Sequence, residues 1–73
     1  MQREPVTSSN LRSLGYNQVD QAAEVEFNNG AVYRYPGVAP EDFDALAKAG
    51  SIGSHFQRVF LPKYKTRGQR VAG

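Results

Sequence analysis

Apolar and polar positions alternate along three short runs and then switch to helical spacing for the rest of the chain. The clearest alternation covers 22–27, where Ala23, Val25 and Phe27 interleave with Ala22, Glu24 and Glu26, giving a strand with one apolar and one acidic face. Leu11 to Tyr16 reads as an earlier strand, with Leu14 and Tyr16 on one face and Leu11, Ser13 and Gly15 on the other. A glycine inside a strand points to a bulge or a close backbone approach. Asn28-Asn29-Gly30 is a hairpin signal, because Asn-Gly tolerates the positive φ angles of a type I′ turn. Ala31 to Tyr35 returns as the third strand, and Pro36-Gly37 stops it. With Phe27 opposite Ala31, Tyr33 and Tyr35 share the apolar face, and Arg34 lies beside Glu24 or Glu26 on the acidic one.

Helical spacing begins at Pro40. A helix over 40–49 suits proline in its first turn, carries Glu41, Asp42 and Asp44 at the positive end of the helix dipole, and stops at Gly50. Phe43, Leu46 and Ala47 form its packing stripe. Ser51 to Ser54 is a short connector in which Gly53 permits close helix–sheet packing. A second helix over 54–61 presents Phe56, Val59 and Phe60, leaves His55 on an exposed edge, and ends at Pro62. The expected fold is α+β, a three-stranded antiparallel sheet followed by two short helices packed on one face, in the order β-β-β-α-α. The organisation is a flexible lead at 1–9, one domain at 10–64 and a flexible basic tail at 65–73.

Size changes what this fold can rely on. A chain of 73 residues is one small domain, and with no cysteine and His55 as its single histidine it has neither a disulfide nor a metal cluster to stiffen it. The absence of cysteine fits a reducing compartment. No apolar stretch approaches the ~20 residues that span a bilayer, so the expectation is a cytoplasmic protein with no membrane partner.

Net charge is +2 but unevenly spread. From Asp20 to Asp44 the acids Asp20, Glu24, Glu26, Glu41, Asp42 and Asp44 face Arg34 alone. From Lys48 onward the bases Lys48, Arg58, Lys63, Lys65, Arg67 and Arg70 occur with no acid. A positive end of this kind can meet phosphate or an acidic surface.

No catalytic signature is present: no Gly-rich phosphate loop, no cysteine nucleophile and no paired histidines. The chain is therefore expected not to be an enzyme and to need no cofactor. Candidate contacts for a nucleic acid or other ligand are Tyr33, Arg34, Tyr35, His55, Arg58, Lys63, Tyr64, Lys65 and Arg67. The two strand tyrosines are either rings buried under the helices or rings offered to bases for stacking. The basic residues are either phosphate contacts or a solvated end. Leu11, Val32 and Leu61 are candidate apolar positions for self-association.

An ordered series of residues adds to this. Ser8-Ser9-Asn10, Leu14-Gly15-Tyr16, Val25-x-Phe27, Gly30-x-x-Tyr33-x-Tyr35 and Val38-x-Pro40 are followed by Ala49-x-Ser51-x-Gly53-x-x-Phe56 and Tyr64. Together they resemble the KTSC domain, a small module named for its place at the C-terminus of some lysyl-tRNA synthetases, over about residues 6–64. Free-standing members occur in bacteria and phages. The resemblance implies an RNA-binding role. The alternatives are a protein-interaction or homo-oligomerisation module, and a phage-type protein that captures a nucleotide signal molecule. Gln57 stands where the family often has asparagine, and Leu61-Pro62 where polar residues are usual, which implies a shortened last helix.

Overall fold

The computed structural model describes residues 3–72. Five strands, β1 (Arg3–Pro5), β2 (Leu11–Asn17), β3 (Ala22–Phe27), β4 (Val32–Tyr35) and β5 (Gln69–Ala72), form one sheet in that spatial order, every neighbouring pair antiparallel. Helix α1 (Pro40–Ala47) and a longer helix α2 (52–64) contribute the apolar residues that close the core. The α+β class is as expected. The sheet has five strands, not three, because segments of the lead and the tail pair onto its edges. β1 has three residues including a proline and β5 has four exposed ones, so neither carries an alternating signature.

The β3–β4 hairpin takes the expected register, Val25 opposite Tyr33 and Glu24 opposite Arg34, with the Phe27 amide donating to the Ala31 carbonyl at 2.8 Å. The turn differs. It is a three-residue loop in which Gly30 alone has positive φ, +92°, so it is not type I′. The β2 alternation also breaks. Leu11 opposes Phe27 and Ser13 opposes Glu26, leaving Arg12 as the extra residue of a bulge. That insertion turns Leu11 into the core beside Leu14, at 1% exposure, rather than to the face of Ser13. The bulge sits at Arg12 and not at Gly15, which pairs with Glu24 and Arg3.

Helix α2 runs through Pro62. Its middle, Phe56–Phe60, is a π turn, and the Leu61 amide reaches back five residues to the Phe56 carbonyl. Proline lacks the amide for an α-helical bond and its ring clashes with the carbonyl four residues earlier; the wider turn relieves both and lets Leu61–Tyr64 continue as helix. It also sets the packing. In a regular helix, residues four apart drift by about 40° per step. Here Phe56, Phe60 and Tyr64 stay in line, with centroids 5.4 Å and 4.9 Å apart, while Val59 is left 54% exposed. On α1, Leu46 is buried, Phe43 is half-buried and Ala47 is exposed.

Beyond α2, Gly68 is the residue that lets the chain return to the sheet. A side chain there would place its first carbon 2.6 Å from the Tyr35 ring, so only glycine lets β5 begin at this distance. Gly53 likewise permits close packing, but against the turn at 8–10 rather than the sheet: a β-carbon would lie 3.0 Å from Ser8 Oγ.

Candidate functional site

The two faces of the sheet separate the candidate residues. Tyr35 is 4% exposed, its ring edge-on to Phe56 and Phe60 at 6.2 and 5.3 Å. Tyr33 is half-buried and edge-on to Phe27. Burial pushes the Tyr35 phenol above its ordinary value, with Tyr33 adding to it. Both tyrosines belong to the helix-covered side, the buried alternative of the two. Leu11 and Val32 are buried as well, and Leu61 is half-buried, so this set offers no continuous exposed apolar surface.

Arg34 lies on the opposite face, where Glu24 holds two guanidinium groups at once. Arg34 Nη2 donates to Glu24 Oε2 at 3.0 Å and Arg3 Nη1 to Oε1 at 2.7 Å. Arg3 also donates to Ser13 Oγ, and Ser13 donates to Glu26. Glu24 is only 7% exposed, with the guanidinium groups of Arg3 and Arg34 on its two carboxylate oxygens. Burial raises its carboxyl, but the hydrogen bonds and charges of Arg3 and Arg34 outweigh burial and hold it below the ordinary carboxylate range. Arg34 was expected beside an acid; Arg3 was not, since its three-residue strand has no periodic signal.

At the other end, α2 meets α1 through Asp42. Tyr64 donates its hydroxyl to Asp42 Oδ2 and accepts from the Ala39 amide at 3.2 Å, while Lys63 Nζ donates to the same carboxylate at 2.9 Å. The hydrogen bond from Tyr64, then that from Lys63, lowers the Asp42 carboxyl; burial and Asp42 raise the Tyr64 phenol; Asp42 raises Lys63. His55 and Val59 complete a cavity of about 50 Å³ beside this cluster, room for little more than water. The cluster therefore joins the helices. In the sequence Asp42 shows only as a favourable first-turn acid, and nothing in the spacing to Tyr64, 22 residues on, marks the pair.

Arg67 lies over the Tyr64 ring at 5.7 Å and donates to the Gly37 carbonyl at 3.0 Å, so it is partly committed. Arg58 and Lys65 are exposed and form no ion pair among the described residues. The structure thus brings His55, Lys63, Tyr64 and Arg67 together at one end, with Arg58 and Lys65 on the same stretch of chain. Tyr33 and Tyr35 lie under the helices and Arg34 on the far face. Among the described residues no group of acids and histidines is arranged to hold a metal, and no helix is long and apolar enough to cross a membrane.

These features define a small α+β module: one antiparallel sheet and one helical layer, with Arg58 and Lys65 among its exposed bases. The chain belongs to the KTSC domain family, whose model matches residues 7–64. It is similar to the crystal structure of a KTSC domain protein from Yersinia pestis, at a TM-score of 0.86 and 31% identity over 96% of each chain. An uncharacterised protein of Stutzerimonas stutzeri is 52% identical over 64 residues, covering 88% of this chain and 90% of that one. A lysine–tRNA ligase of Nostoc punctiforme is 35% identical over 55 residues, which are 75% of this chain and 10% of the ligase.

Proposed function

We propose that this KTSC domain is a non-enzymatic, cytoplasmic RNA-binding module that holds the phosphate backbone with its basic end. One observation carries the reading: beyond Asp44 the chain has no acid, and within that stretch Arg58, Lys65 and Arg67 are exposed, the first two without an ion pair among the described residues. The occurrence of a similar segment within a lysine–tRNA ligase, an enzyme that by its name handles tRNA, supports RNA as the polyanion. Stacking on Tyr33 and Tyr35 is no part of the reading, because Tyr35 is sealed by Phe56, Phe60 and Gly68. Binding is therefore electrostatic and tolerant of sequence.

The test is a fluorescence-anisotropy titration against labelled single-stranded RNA and tRNA across a salt series. Three phosphate contacts give a log–log slope of about −2 on single strands, and Arg58→Ala with Lys65→Ala lowers its magnitude by roughly 1.4. No binding at micromolar protein in low salt, or binding indifferent to salt, refutes the proposal.

A further inference from the structure

Two hollows meet over the stacked rings of Tyr16 and Phe43, whose centroids are 5.0 Å apart and 21° from parallel. The first, about 410 Å³, opens between β1, β2 and α1, with Glu4, Val6 and Ala47 on its walls. The second, about 480 Å³, is bounded by Gln18, Pro40, Glu41 and Asp44. The Tyr16 hydroxyl donates to the Val38 carbonyl at 2.6 Å, which fixes the ring. Every charged residue lining either hollow is an acid. Asp44 pairs with Lys48 at 3.1 Å, whereas Glu4 and Glu41 form no ion pair among the described residues.

The complement to this surface is on the same molecule. The sheet order puts β1 and β5 at opposite edges, four strand spacings or roughly 19 Å apart. Arg58 and Lys65 are exposed, Lys65 four residues before β5 begins, and Val59 and Val71 are exposed apolar residues at 54% and 47%. The hollow is aromatic and rimmed by carboxylates; the C-terminal stretch carries exposed cations and exposed apolar side chains.

We infer that the hollow over Tyr16 and Phe43 receives the basic end of a second copy of this chain, head to tail. The two patches differ, so the contact is heterologous and each copy can accept one neighbour while donating to another. The pairing is between exposed charges, so it weakens with salt and strengthens with concentration. It also occupies the bases that contact RNA in the reading above, so RNA and self-association compete. The inference does not rest on that reading.

Analytical ultracentrifugation of the wild-type chain and two neutralised variants decides the matter. Glu4→Gln with Glu41→Gln removes the acidic rim, and Arg58→Gln with Lys65→Gln removes the basic partner; all four positions are exposed, and a melting curve checks that both variants fold. The expected wild-type result is a weight-average mass that rises with concentration at low salt and returns to monomer at high salt. Each variant alone associates at least tenfold more weakly. Their equimolar mixture keeps one intact hollow and one intact basic end, so it forms dimers and nothing larger. A wild-type monomer at every concentration, a variant that associates like the parent, or a mixture that stays monomeric overturns the inference. RNA titration of the Glu4→Gln, Glu41→Gln variant, which keeps every base, tests the RNA reading separately.

Discussion

Replacing Tyr35 by alanine distinguishes a core ring from a ligand-stacking ring, and the structure sets the size of the effect. The side chain is 4% exposed and meets Phe56 and Phe60 edge-on. Removing a buried aromatic ring of this kind costs about 3–5 kcal/mol, the lost transfer free energy plus the cavity left behind. A chain of this length has a total stability of roughly 4–11 kcal/mol, so the loss is a large share of it. At about 4–8 °C per kcal/mol for a small domain, the melting temperature falls by roughly 12–40 °C. Tyr35→Phe is the control: it keeps the ring and its edge-on contacts with Phe56 and Phe60, so the expected loss is under ~1 kcal/mol. Thermal melts by far-UV circular dichroism, paired with the RNA titration, read both properties. A Tyr35→Ala chain that melts within a few degrees of the parent but has lost RNA affinity refutes the core assignment and restores the ring as a ligand contact.

Three other perturbations follow from the same contacts. Glu24→Gln leaves Arg3 and Arg34 over a neutral amide and lowers stability by about 1–2 kcal/mol, discounted because both arginines are partly solvated. The Glu24 and Asp42 carboxyls are both lowered in the folded chain, so their contribution is present above the ordinary carboxylate range near ~4 and is lost as pH falls through the folded values. A melting temperature that rises on acidification contradicts this sign. Tyr64→Phe removes a donor to Asp42 and an acceptor for the Ala39 amide, an expected loss of about 1–3 kcal/mol by urea denaturation, and unchanged stability would deny the Asp42 junction its role. Gly68→Ala forces a β-carbon against Tyr35 and costs about 1–3 kcal/mol, with amide-exchange protection falling first in 69–72; retained protection there would show that β5 does not depend on this approach.

The β3–β4 hairpin was legible because period-2 alternation and a glycine turn agree; its register set Arg34 beside Glu24 or Glu26, and the structure selects Glu24. What escaped has identifiable causes. The Arg12 bulge shifts the β2 pattern by one residue, so Leu11 appears on the wrong face until the insertion is known. Pro62 is a reliable stop only in a regular α-helix, and the π turn removes the clash on which that rule depends. β1 and β5 hold their places through pairing and through the space at Gly68, neither of which leaves a hydrophobic pattern. The family's ordered residues were legible as a set, and Gly53 is the instructive case: its role is contact with the 8–10 turn, 43 or more residues earlier in the chain, which spacing alone does not reveal.

The arrangement of the sheet explains why the surface chemistry of this domain gathers at its ends. One face is filled by the row of Phe56, Phe60 and Tyr64 over Tyr35, and displacing any of these rings would open a cavity in a core too small to absorb the loss. On the other face, Glu24 is already matched by two arginines, so an incoming phosphate would compete with a buried carboxylate for the same donors. Neither face offers an inexpensive contact. Arg58 and Lys65 carry no such commitment: both are exposed and form no ion pair among the described residues. A polyanion therefore loses least by approaching Arg58 and Lys65, and whatever affinity it gains there scales with the number of phosphates neutralised rather than with the bases that carry them.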